Sequence, residues 1–165
     1  MFMEKQLSKM EDNKPAIEFQ IKGMFVTEFN VKICDEFIKA DKEASGGFNN
    51  YTFEISCINK AFITENLMQI HVHLKVYLDD EKKILLGYLS LTNFYFVKDL
   101  FKYVDEKTKI FSLPEYFEVS LISISISHSR AILLAKCAGT FLQNAVLPIV
   151  DPKIFVKKVT NEINM

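Results

Sequence analysis

The residue types able to do chemistry in this chain are few and poorly grouped. His71 and His73 stand two apart, which puts both imidazoles on one side of an extended strand, where two nitrogens could share a metal ion. His128 lies far along the chain. A pair on a strand's polar side more commonly faces solvent or an interface, so no metal site is expected. Ser127-His128-Ser129 invites a nucleophile-and-base reading. Sequence neighbours rarely point at one another, however, and no G-x-S-x-G elbow surrounds them. Cys34, Cys57 and Cys137 form no C-x-x-C pair and read as small apolar residues in a reducing compartment. Gly46-Gly47 lacks the Lys-Ser/Thr that follows a phosphate loop. The expectation is a chain with no catalytic residues, no cofactor and no ATP-driven step: not an enzyme.

Bulk properties narrow the class further. Residues 1–16 read as a polar leader and 17–165 as a single domain, long enough to bury roughly two-thirds of its unfolded surface. Hydrophobic residues make up 49% and charged ones 25%, a globular balance rather than a disordered one. The net charge of −1 comes from Lys alternating with Asp and Glu, so a nucleic-acid partner is not expected. Met1–Lys14 has no apolar core of a signal peptide, and no run approaches ~18 uninterrupted apolar residues. These features predict a cytoplasmic protein without direct membrane insertion.

The elements follow from periodicity. Ile17, Phe19, Ile21, Gly23, Phe25, Thr27, Phe29, Val31 and Ile33 take every odd position, a strand with one buried face. It is too long to run straight, and a bulge is predicted near Gly23 or Thr27. Asp41–Asn50 is a loop. Tyr51, Phe53, Ile55 and Cys57 mark a second strand, and Met68 to Leu78 at even positions a third. The polar turn Asp79–Lys83 joins it to a fourth, Ile84–Val97, making a hairpin. Leu85, Leu89 and Leu91 fall on one side of that strand, and Ile84, Leu86, Tyr88 and Phe94 on the other. Both faces are apolar, so something must cover the second.

From about Pro114 to Ala138 the spacing turns helical, despite the β-like run Ser123-Ile124-Ser125-Ile126-Ser127; Gly139 is the stop. An apolar connection, Gly139–Pro152, leads to Asp151 as N-cap and a short helix over Lys153–Glu162. The class is α+β.

In this order the elements resemble the SecB export-chaperone family. The residues that carry the likeness are Phe19-Gln20-Ile21 opening the long strand, Arg130, Gly139-Thr140-Phe141, Leu147-Pro148-Ile149-Val150, and Phe155 in the closing helix. The resemblance implies a four-stranded antiparallel sheet packed with a long and a short C-terminal helix, assembling as a homotetrameric dimer of dimers. It also implies an ATP-independent holdase that keeps unfolded or precursor polypeptides translocation-competent. Client binding would then fall to Phe53, Ile55, Phe141, Leu142, Val146, Leu147, Ile149 and Phe155. Replacing Leu142, Val146 and Leu147 by Ser is expected to weaken holding while assembly survives. Contacts between subunits would involve Leu85, Tyr88, Leu89 and Leu91, with Ile122 and Ile126 of the helix. Family members dock the translocation motor ATPase through carboxylates. Here Glu28 is retained, while Lys32 and Tyr88 replace acids, which weakens that expectation. Some SecB-like proteins instead serve one antitoxin, and a dedicated role of that kind is the alternative.

Overall fold

The computed structural model describes residues 16–32, 51–78, 84–108 and 110–156. The polar leader, Cys34, the loop over 41–50, the turn over 79–83 and most of the expected last helix lie outside them. Four strands and one long helix organise the rest: β1 (Phe19–Val31), β2 (Tyr51–Phe62), β3 (Leu67–Leu78), β4 (Ile84–Val97) and α1 (Glu115–Cys137). The sheet is antiparallel throughout, in the order β1-β4-β3-β2. The β3–β4 hairpin is present, and β1 and β2, consecutive in the chain, become the two edges.

β3 shows the expected alternation in its plainest form. Met68, Ile70, Val72, Leu74, Val76 and Leu78 are buried beneath α1, and the residues between them face the open side. β1 departs from it. Lys22 and Thr27 have no partner in the β1–β4 register, so the strand bulges at both predicted places. Each bulge inverts the parity. Phe19 and Ile21 lie on the helix side, then Met24 and Val26, then Phe29 and Val31, while Phe25 is carried to the open side against Phe94, ring centroids 5.8 Å apart. The single row of odd apolar positions is therefore corrected, and β1 contributes no fully buried residue.

A third irregularity, between Val76 and Tyr77, leaves Leu86 without a partner on β3. Leu86 turns fully into the core, and Leu85 stands opposite Tyr77 on the other side from Leu89 and Leu91. The expected grouping of Leu85 with Leu89 and Leu91 is overturned by that one extra residue.

α1 settles the ambiguous serine–isoleucine run as helix. Burial of Phe117, Leu121, Ile122, Ser125, Ile126, Ser129, Leu133 and Cys137 follows the helical period against the sheet. The serines return their hydroxyls to the preceding turn, Ser125 to the Leu121 carbonyl at 2.9 Å and Ser129 to that of Ser125 at 3.0 Å. Pro114 stands at the N-cap, and Glu115 and Glu118 occupy the first turn, where the helix dipole favours them. Gly139, at φ +75°, ends the helix in the left-handed region. By length and composition α1 is apolar enough to cross a membrane; in this fold its apolar face lies on β3 and β4.

Candidate functional site

The segment after α1 is built to hold an apolar loop in a defined shape. The Thr140 hydroxyl donates to the Cys137 carbonyl at 2.7 Å and accepts from the Leu142 amide at 3.2 Å. Leu142, Ala145 and Leu147 then point inward and are 1%, 0% and 2% exposed. Leu142 packs over Gly87, where even a methyl group would meet the Asn30 carbonyl at 2.8 Å and the Leu142 side chain at 3.1 Å. The Tyr51 hydroxyl donates to the Phe141 carbonyl at 3.1 Å, tying this segment to the start of β2. Arg130 reaches out from α1 and donates from Nε to the Leu147 carbonyl and from Nη2 to the Pro148 carbonyl, each at 3.0 Å. Two charge-assisted bonds thus hold the carbonyls of two successive peptides, Leu147–Pro148 and Pro148–Ile149.

Between these anchors the remaining apolar side chains face solvent. Val146 is 56% exposed, Ile149 95% and Ile154 68%. Phe141, Val150 and Phe155 are half-buried against the core, as are Phe53 and Ile55 on the helix side of β2. Asp151 caps a single turn, Pro152–Phe155, by accepting from the Lys153 amide at 3.0 Å. This is a 3-10 turn where an α-helix was expected; the continuation to Glu162 falls outside the described residues. The expected client-binding set therefore divides. Val146 and Ile149 are presented, Phe53, Ile55, Phe141 and Phe155 line the edge, and Leu142 and Leu147 belong to the core. Replacing those two by Ser would disrupt the fold rather than test a groove.

The expected subunit contacts divide in the same way. Leu89, Leu91 and Ile122 are 0% exposed and Ile126 is 3%, because β4 and α1 bury them against each other within one chain. They are corrected to core residues. Leu85 and Tyr88 remain half-exposed on the open side. Glu28 is exposed on that side, opposite Ser90 of β4.

Sequence reasoning missed a second apolar surface. α1 lies over β3 and β4 and touches β1 at its ends, Phe117 against Phe19 and Lys136 over Phe29; Phe19, Ile21, Met24 and Val26 remain 40%, 47%, 40% and 38% exposed. β1 is also an edge of the described sheet, so among the described residues no strand pairs with its outer side. The only signal that could have found it was the sheet order, which periodicity does not contain.

A four-stranded antiparallel sheet with one long helix on one face and an apolar crossover behind it defines the SecB-like fold. A solved structure similar to it is the Mycobacterium tuberculosis Rv1957 SecB-like chaperone in complex with a ChAD peptide from the Rv1956 HigA1 antitoxin. The TM-score is 0.55 at 9% sequence identity, over 80% of this chain and 89% of that one. A protein of unknown function from Streptococcus agalactiae superimposes with a TM-score of 0.33 at 10% identity, over 74% of this chain and 89% of that one. At 9% identity the likeness to the Rv1957 structure is one of fold alone. No family model and no curated protein matches the chain.

Proposed function

We propose that this protein is an ATP-independent chaperone that binds unfolded or precursor polypeptide segments through the Val146–Ile154 ledge. The observation that carries this reading is Ile149, 95% exposed on a backbone that Arg130 holds in place. One exposed isoleucine is ordinary, but Val146, Ile149 and Ile154 exposed along one held segment mark an interaction surface. Burying one such side chain against a client contributes roughly 1.5–3 kcal/mol, so three or four together offset the cost of ordering a short peptide. No covalent step is involved. The position of β1 at the edge of the described sheet supports the same reading, because an extended client or a second copy can add to an edge strand. Homotetramer formation and a cytoplasmic setting are part of the proposal.

A second reading is favoured by one finding: the structural neighbour was solved with a single antitoxin peptide. On that reading this chain serves one cognate protein, and docking to a translocation motor through Glu28 is not required. Aggregation assays on several unrelated unfolded substrates distinguish the two. The triple variant Val146→Ser, Ile149→Ser, Ile154→Ser should keep its circular-dichroism spectrum and melting midpoint yet lose most of its holding. Undiminished holding by that folded variant would sink the ledge assignment. Protection of only one substrate in a broad panel would select the dedicated reading.

A further inference from the structure

The open side of the sheet carries an arrangement that polypeptide binding leaves unexplained. His71 and His73 project from β3 with their rings nearly perpendicular, at 75°, and their centroids 4.3 Å apart. Their Nε2 atoms lie 2.9 Å from each other. Each Nδ1 is held across the strand pair by a hydroxyl of β4, His71 by Thr92 Oγ1 at 2.6 Å and His73 by Ser90 Oγ at 2.8 Å. Ser90 and Thr92 are themselves 1% and 5% exposed, so both rings are oriented by buried partners, with their Nε2 atoms facing each other.

We infer that His71 and His73 form a bidentate site for a divalent transition-metal ion that prefers right-angle coordination, nickel(II) or copper(II). Imidazole nitrogens bind such ions at about 2.0–2.1 Å. Two of them at a right angle stand about 2.9 Å apart, whereas a tetrahedral pair needs about 3.3 Å. The observed 2.9 Å is itself an N–H···N hydrogen bond between the two rings. It is compatible with a right-angle pair, and the preference for nickel or copper over zinc rests on the order of affinities for imidazole nitrogen. Metal-bound histidines typically donate the other ring N–H to an acceptor, which fixes the tautomer. Ser90 and Thr92 stand where those acceptors are needed.

Without an ion one Nε2 carries the proton shared between the two rings, in either tautomeric order. Metal entry moves that proton, through solvent, to the Nδ1 of the same ring, whose hydroxyl partner becomes its acceptor. Both Nε2 lone pairs then meet the ion with no net release of protons. Glu28, exposed on the same side, adds a field that favours a cation near His71, and Lys60 opposes it. Among the described residues no group of three or more ligating side chains exists. Water, or a donor from a bound molecule, completes the shell. The sequence spacing favours a solvent-facing or interface pair; the inferred site departs from that expectation on the placement of both Nδ1 atoms against buried hydroxyls.

Calorimetric titration of the full chain with nickel(II) and zinc(II) chlorides tests the inference; nickel is the main probe because thiols reduce copper(II). One nickel per chain is expected, bound several-fold more tightly than zinc. His71→Asn and His73→Asn should each weaken it by more than tenfold. Thr92→Val, which keeps both ring nitrogens but removes one orienting hydroxyl, should weaken it about tenfold or more. Absence of saturable nickel binding overturns the site, as does unchanged affinity in a folded double variant carrying His71→Asn and His73→Asn. If that double variant does not fold, His73→Gln alone decides by the same criterion.

Discussion

Ile149 and Leu147 lie two residues apart and have opposite fates, which makes them the sharpest pair for separating stability from binding. Leu147 fills the core beneath the crossover, and its replacement by Ala should cost about 2–5 kcal/mol, read from the urea unfolding midpoint. Ile149→Ala, at a side chain 95% exposed, should change stability by no more than about 0.5 kcal/mol while weakening client holding. Arg130 stands between these cases. Its replacement by Gln removes charged donors from two backbone carbonyls, at a cost of about 1.5–3 kcal/mol. The expected sign is faster amide exchange across 142–150, with the exchange of β3 unchanged. Equal acceleration in β3 would mean that Arg130 supports the whole domain rather than the ledge.

At the scale of elements, two polar pairs set α1 on β4. The Tyr95 hydroxyl bonds Ser125 Oγ at 2.7 Å, and His128 Nδ1 bonds Asn93 Oδ1 at 2.7 Å. The partners are two apart on the strand and three apart on the helix, so a register slip would break both at once. Burial raises the Tyr95 hydroxyl to about 12, leaving it neutral in any ordinary buffer. Burial also lowers the pKa of His128 beneath its ordinary 6.5. The unfolded chain therefore binds more protons than the folded one once the pH falls below about 6.5. The contribution is complete above the unfolded value and is lost as the pH drops through it toward the lower folded value. The urea midpoint should fall between about pH 7.5 and pH 5.5, and His128→Gln should reduce that fall. Part of the slope should persist, because burial lowers His71 in the same direction. An unchanged slope in His128→Gln would remove His128 from the account.

For the whole molecule, the informative asymmetry is that α1 covers β3 and β4 and leaves the middle of β1, Ile21 to Val26, exposed. A strand with four large apolar side chains between 38% and 47% exposed is a poor end state for a solitary chain. Native mass measurement should return an assembly, four copies on the reading above. Ile21→Lys combined with Val26→Lys should shift it to smaller species. Both side chains stand clear of the core, so the circular-dichroism spectrum should be retained. A wild-type chain that runs as a monomer at micromolar concentration would leave β1 without its second copy and shift that surface entirely to clients.

Much of the fold is legible in the residues alone. Strict alternation in Met68–Leu78, the bulges near Gly23 and Thr27, the helix between Pro114 and Gly139, and the apolar crossover all follow from short-range rules of period and backbone preference. Those rules act within a few residues, and a single chain carries them. Other features depend on which segments meet. The sheet order made β1 an edge, and Lys22, Thr27 and Leu86 reassigned side chains to faces by one-residue shifts. The Ser125–Ile126 stretch became helix because its helical face, not its alternating one, found a sheet to bury against. Whether Leu147 or Ile149 faces water is settled by Arg130, seventeen or more residues earlier in the chain, and the meeting of two imidazoles is settled by hydroxyls on a neighbouring strand. Burial and ring direction are properties of contacts between distant segments, and only the tertiary structure contains those contacts.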